Sequence, residues 1–281
     1  MLVADTTLAA RIEGTVTSLL VDFVAAATRR RPAVDPRCWS IAGGAAALAG
    51  PGSPFNKLGG LGVGTDADVA LDEGTLGAAE AEFARRGVPL QVELASLAPP
   101  SLAATFMRRG YRLTGCEHVL GRALSPGERF PEATGVTVTQ GTPDRFAPWL
   151  DAVLEGFAVP DGSSAAPPED FPREVLMTEL TDVHTLTGFT AWEATRAGGL
   201  AGGASLRVSD GVAQLYGAAT LPAHRRHGVQ TALLHARLRE AAALGADLAT
   251  VTTQPGSKSQ HNAQRQGFEL LYSRTVLTLG A

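Results

Sequence analysis

"LPAHRRHGVQTALLHARL", Leu221 to Leu238, sets Arg225, Arg226 and His227 directly before Gly228 and an apolar helical run. Pro222 cannot donate a ladder hydrogen bond, so the preceding strand ends there. The helix that follows opens with unpaired N–H groups and the positive end of its dipole, a combination that suits an anion. Cations at such an end are mildly unfavourable on their own and become favourable when phosphate is present. Gly228 has no Cβ, so a phosphate can lie against the backbone. Arginine adds bidentate contacts. No GxxxxGK[ST] and no GxGxxG opens a strand–helix unit anywhere in the chain.

Outward from this stretch, period and punctuation give the order of elements. Val136–Gln140 alternates as a strand, and Thr142 with Pro143 starts a helix to about Phe157. A short helix lies near Glu174–Leu180. Strands follow at about His184–Ala194, Leu200–Val208 and Val212–Leu221, with an Asp210-Gly211 hairpin turn between the last two. The helix Gly228–Leu244 stops at Gly245; strand Asp247–Thr253, a helix closed by Gly267 and strand Glu269–Leu279 complete the chain. The class is α+β, a mostly antiparallel mixed sheet flanked by helices.

The first half repeats the second. Phe55–Val63 aligns with Ala213–Leu221, and Gly59 on Gly217, Gly87 on Gly245 and Leu90 on Leu248 share one offset. After one deletion Gly110 meets Gly267, Tyr111 meets Phe268, and Val119-Leu120 meets Val276-Leu277. The Pro- and Gly-rich stretch Ser125–Gly135 reads as the linker, giving domains 1–128 and 129–281. A long helix, about Thr6–Arg30, opens the first half. Under the alignment Arg225 and Arg226 meet Ala67 and Asp68, and His224 meets Asp66. Carboxylates there would repel a phosphate, so the first half is expected to be a degenerate copy without the phosphate site. Its expected task is to pack against the second half, with Trp39, Phe55 or Asn56 walling a cleft.

Composition bounds the rest. The 281 residues suit two domains at ~150 residues each. A net charge of −4 argues against a general nucleic-acid binder, which would carry a basic face. No run approaches the ~20 apolar residues of a membrane span, and no secretory pattern is visible, so a cytoplasmic protein with reduced thiols is expected. Cys38 and Cys116 stand in no nucleophile context and are expected to be buried small residues. His224 and His227 lack further ligands of metal-site spacing, so no metal is expected.

The strand, Pro222, "RRHGV", the apolar helix, the next strand and the late "RQGFELLYSR" resemble the GNAT superfamily of N-acetyltransferases. The likeness covers about Val136 to Leu279, and more faintly the whole chain as a tandem pair. The family's Q/R-x-x-G-x-G/A signature falls on Arg225, Gly228 and Gln230, with Gln where Gly or Ala is usual. The resemblance implies acetyl-CoA as co-substrate and transfer of its acetyl group to a primary amine, on a small molecule or a protein. It assigns the pyrophosphate to Arg225, Arg226, His227, Gly228, Val229 and Gln230, and the pantetheine arm to the backbone of Ala219, Thr220 and Leu221. Ser259 and Asn262 are further cofactor candidates. A homodimer is compatible with it.

Direct acyl transfer needs a free amine, a stabilised oxyanion and an acid for the thiolate. The family's usual acid, a Tyr four residues before the Gly of "GF", is Ala263 here. Tyr272 and Tyr216 are the replacements, and Glu193 is the candidate base. The missing tyrosine leaves a second reading open, a catalytically silent acyl-CoA-binding or interaction scaffold. Trp192, Tyr216 and Phe157 are candidates for an acceptor pocket.

Overall fold

Asp5 accepts the Leu8 N–H at 2.7 Å and so starts α1 (Thr6–Arg30), whose apolar face buries Ile12, Leu20 and Phe23. In the computed structural model, which describes residues 2–64, 70–159 and 171–280, the elements continue with β1 (Arg37–Ile41), β2 (Gly44–Leu48) and β3 (Lys57–Gly59). Next come α2 (Glu73–Arg85), β4 (Leu90–Ala95), α3 (Pro100–Arg108) and β5 (Arg112–Ala123). The second half brings β6 (Thr137–Gln140), α4 (Phe146–Ala158), α5 (Arg173–Val183), β7 (Phe189–Arg196), β8 (Gly199–Ser209) and β9 (Val212–Thr220). It closes with α6 (Val229–Ala243), β10 (Leu248–Thr253), α7 (Lys258–Arg265) and β11 (Glu269–Leu279).

The chain divides into two compact units that interleave in sequence. Met1–Val119, Thr252–Pro255 and Leu270–Ala281 form the first, and Leu120–Val251 with Gly256–Glu269 the second. In the first, the strands run in the order β1, β2, β3, β4, β11. β3 and β4 are parallel, while β11 lies antiparallel to β4 with Arg274 opposite Ala95 and Leu279 opposite Leu90. The chain's last strand is thus built into the unit made by its first residues. Leu277 joins Leu58, Phe83, Leu90, Val92 and Phe106 in that unit's core. A division at 128/129 separates the halves by sequence but assigns β11 to the other half.

In the second unit the order is β10, β9, β8, β7, β6, antiparallel except for β9 with β10. Asp210 (φ 50°) and Gly211 (φ 71°) are both left-handed, as a two-residue hairpin between β8 and β9 requires. α6 covers one face through Val229, Leu233 and Leu238 against Leu206 and Leu215. α4 covers the other through Trp149, Leu150 and Val153, packed on Ala191 and Ala219. Glycines make this second contact close: a Cβ at Gly203 would strike the Trp149 ring at 2.6 Å, and one at Gly156 would strike Ala219 at 2.7 Å.

Three expectations are corrected. Cys38 and Cys116 are exposed, because β1 is an edge strand and the first half of β5 lies outside the core. His184 is not strand but the C-cap of α5, and β7 begins at Phe189. Thr142 makes no side-chain cap, since a 3-10 turn, Pro143–Arg145, precedes α4. Within the first unit Trp39 tilts on Phe83, and Phe55 stacks on Phe23 at 3.9 Å. Asn56 accepts the Ala49 N–H and donates to Gly50 O.

Candidate functional site

β9 and β10 run side by side for only three residue pairs, Leu248–Thr250 against Val212–Gln214. Beyond Gln214 the rest of β9, Leu215–Thr220, continues without β10 as a ladder partner. On its other side β9 carries a bulge. Ser205 pairs with Tyr216 and Gly203 with Ala219, so β9 holds one extra residue there, and Gly217 takes φ 53°. Bulge and divergence coincide, leaving an open strand edge beside irregular backbone.

The strand then passes Leu221 into a 3-10 turn, Pro222–His224, and on to the start of α6. Arg226 (φ 64°) and Gly228 (φ 78°) are both left-handed and flank His227. Such alternation gathers successive N–H groups into a concave anion nest. Gly228 is the N-cap of α6 and supplies no side-chain acceptor, and no acidic residue stands in the first turn. A Cβ on Gly228 would find nothing nearer than Ala133 at 4.0 Å, so the space before the helix is open. Val229 is buried and pins the helix start, while Arg226, His227 and Gly228 are exposed and Gln230 is half-buried. The geometry fits a pyrophosphate on the N–H groups and an extended arm along β9.

Arg225 has a structural task that sequence reasoning missed. Its guanidinium donates to Thr220 O at 3.3 Å, Gly156 O at 3.1 Å and Val159 O at 2.6 Å. It therefore satisfies carbonyls left open at the end of α4 and ties them to the end of β9. Thr220 Oγ1 and His224 Nδ1 are buried close by without a hydrogen-bond partner. Ala219 is buried, and Leu221 is half-buried with its N–H given to Ala201 O at 3.0 Å.

The catalytic candidates fall in different surroundings. Tyr216 is half-buried on β9, opposite Ser205 and stacked with Phe189 at 6.4 Å. Ser205 Oγ is buried without a partner. Phe189 meets His184 edge-on, and His184 stacks on Phe146 and Trp149, so an aromatic series runs from β9 to α4. Glu193 is buried on β7, where Arg145 donates to its Oε2 at 2.9 and 3.2 Å, while Oε1 has no partner. Tyr272 lies on β11 in the first unit, and its hydroxyl donates to Glu13 Oε1 at 2.6 Å. Burial and the neighbouring Glu13 carboxylate push its pKa well above the ordinary phenol value.

On α7, Ser257 is the N-cap and accepts the Gln260 N–H, so the capping role falls to it rather than to Ser259. Ser259 is exposed, Asn262 is half-buried, and Ala263 packs into the core beside Phe268. Trp192 is likewise core and donates to Thr190 Oγ1, whereas Phe157 is exposed. Among the described residues no group of His, Cys, Asp or Glu gathers in a way that could hold a metal ion, and no helix is long and apolar enough to cross a membrane.

Residues 156–268 match the model of the acetyltransferase (GNAT) family. A comparison with curated proteins gives no match. Among solved structures, a GCN5-related N-acetyltransferase from Kribbella flavida superposes with a TM-score of 0.65 at 21% identity, covering 96% of this chain and 95% of that one. A tandem GNAT protein from the clavulanic acid biosynthesis pathway gives 0.58 at 15% identity, over 84% and 78% of the two chains. A GCN5-related N-acetyltransferase from Sphaerobacter thermophilus gives 0.53 at 17%, over 74% and 67%. The diverging β9 and β10 and the mouth of α6, which has no side-chain cap, lie inside the matched residues, and residues 156–268 form a GNAT acetyltransferase domain.

Proposed function

We propose that the protein is an acetyl-CoA-dependent N-acetyltransferase that moves the acetyl group from the thioester directly to a primary amine. The observation that carries this reading is the sequence of features along one strand. β9 loses β10 as a ladder partner after Gln214, bulges against β8 at Gly217 and leads into the N–H nest of Arg226–Gly228. Its free edge offers backbone groups to an amide-bearing arm, and the nest offers N–H groups to the pyrophosphate.

The amine nitrogen attacks the thioester carbonyl, the C–S bond breaks, and the nitrogen gives up one proton as the thiolate takes one. The oxyanion of the tetrahedral stage needs N–H donors, which the bulge of β9 supplies. Tyr216 is the residue we assign as proton donor, since it flanks the bulge and is half-buried. The Tyr272 hydroxyl is engaged by Glu13, and the Glu193 carboxylate is neutralised by Arg145. We therefore read both as structural.

The test is release of free thiol from acetyl-CoA with a panel of primary amines, alongside calorimetric titration of acetyl-CoA. Turnover should appear with at least one amine and fall by ~10²-fold or more in Tyr216→Phe, while Tyr272→Phe keeps it. Ala263 at the family's usual acid position favours a second reading, an acyl-CoA-binding scaffold. Tight acetyl-CoA binding with no thiol release from any amine would establish the scaffold instead, and absence of binding would reject both.

A further inference from the structure

Arg237 lies two turns beyond the mouth of α6 and is buried to 2% exposure. Its Nε donates to Leu233 O on its own helix at 3.1 Å. Its Nη1 donates to Ser205 O on β8 at 2.9 Å and to Tyr216 O on β9 at 3.3 Å. All three acceptors are main-chain carbonyls. Ser205 and Tyr216 are the last register pair before the bulge, so one guanidinium nitrogen joins the two strands where their ladder slips.

Burial alone acts on the ionisation of this group and pushes its pKa down to about 9. A cation held out of water costs free energy unless neighbouring dipoles offset it. An apolar side chain would serve α6 better there, as Leu233, Leu234 and Leu238 already do. What an arginine adds is a rigid fork that reaches two strands together.

We propose that Arg237 is a positioning residue that fixes the β9 bulge, and through it Tyr216 and the N–H groups of Gly217–Ala219, for acyl transfer. The proposal rests on the reading of β9 as the acyl-CoA strand. Without the fork the bulge can shift along the ladder, since strand register is weakly fixed where glycines and small residues dominate, as in Gly202–Gly203 and Gly217–Ala219.

Arg237→Met keeps much of the stem and removes fork and charge; Arg237→Lys keeps the charge and loses the fork. Amide hydrogen exchange of Gly217–Ala219 in the ligand-free protein is the first readout, and it needs no turnover. It should accelerate about tenfold or more in Arg237→Met, with α7 amides unchanged, the scale of losing a charged hydrogen bond. In the second readout kcat with the best amine should fall by ~10²-fold while KM for acetyl-CoA changes less than about threefold. Arg237→Lys should show the same exchange effect at smaller size, and it carries the test if the methionine variant does not fold. Unchanged exchange at the bulge in the folded variants, or a KM change with kcat intact, would overturn the assignment. If the unmodified protein turns over no amine, the proposed activity fails, and the exchange arm still decides whether Arg237 holds the bulge.

Discussion

The Tyr272 hydroxyl donates to Glu13 Oε1 at 2.6 Å, joining residues 259 positions apart in the chain. The same oxygen accepts Arg274 Nε at 2.8 Å, and Arg274 Nη1 also reaches Thr252 Oγ1 and faces Glu93 at 3.9 Å. Lys57 completes the cluster by donating to Glu93 Oε1 at 2.7 Å. Glu13, Glu93 and Arg274 are all nearly inaccessible. The last strand is thereby fastened to the first helix by charge as well as by its ladder on β4. Removing one member of a buried pair leaves the other uncompensated, which typically costs ~3–5 kcal/mol.

Glu13→Ala should therefore lower stability by roughly 3–5 kcal/mol, and Tyr272→Phe by only about 1 kcal/mol, in urea unfolding. A chain cut after residue 128 lacks β11, and a chain beginning at 129 carries β11 without β4. Neither should give a dispersed amide spectrum when expressed alone. Two well-folded pieces would show that the strand exchange is dispensable.

How far such contacts can be read beforehand depends on their range. The Arg226–Gly228 mouth was legible because glycine, proline and charge act within a few residues of one another. The order of helices and strands was legible for the same reason, with α1 at Thr6–Arg30 the plainest case. The pairing of β11 with β4 was not, since alternation predicts a strand but never names its partner. The second task of Arg225 was not legible, because the carbonyls at Gly156 and Val159 are distant in sequence and have no pattern of their own. Arg237 stands in an apolar helical run without a pattern of its own, and only the bulge beneath it gives it meaning.

His184 makes a pH dependence testable. Burial among Phe146, Trp149 and Phe189 pushes its pKa down to about 4 from an ordinary value of 6.5. Between those values the unfolded chain binds a proton that the folded one does not, so stability rises with pH across that window. It is complete above the unfolded pKa and is lost as pH falls toward the folded one. Urea midpoints should drop from pH 7 to pH 4.5, and His184→Phe should flatten the drop. An unchanged slope in the variant would assign it to other groups.

Arg225 and Gly228 should separate two kinds of defect at one site. Arg225→Ala leaves carbonyls of α4 and β9 without their donor and should cost ~1.5–3 kcal/mol of stability as well as affinity. Arg226→Ala removes an exposed charge and should weaken acetyl-CoA binding with stability within about 0.5 kcal/mol. Gly228→Val forces a branched side chain into φ 78° and fills the approach to the N–H nest, so binding should vanish while the fold persists. Calorimetry and thermal unfolding on the three variants distinguish these outcomes; equal stability for Arg225→Ala and the native protein would return its side chain to the phosphate.

The two halves differ most where each would hold pyrophosphate. β3 and β4 in the first unit run parallel, as β9 and β10 do in the second, and a helix follows each leading strand after a glycine-containing loop. Asp66 and Asp68, the residues that first marked the difference, lie outside the described residues, but the helix itself carries it. α2 has Asp72 as its N-cap, whose Oδ1 accepts the Gly74 N–H at 2.9 Å and whose Oδ2 accepts the Thr75 hydroxyl at 2.6 Å. Glu73 adds a second carboxylate in the first turn. These bonds hold the Asp72 pKa below the ordinary carboxylate value, so the negative charge is present at neutral pH. A pyrophosphate would have to displace a satisfied cap and approach two like charges, whereas α6 presents neither a side-chain cap nor an acid in its first turn. One acetyl-CoA should therefore bind per chain. Asp72→Ala should cost about 1 kcal/mol of stability, the worth of an N-cap, and leave acetyl-CoA affinity within about twofold. A calorimetric stoichiometry of two, or a second binding step appearing in Asp72→Ala, would mean that the first half retains a working site.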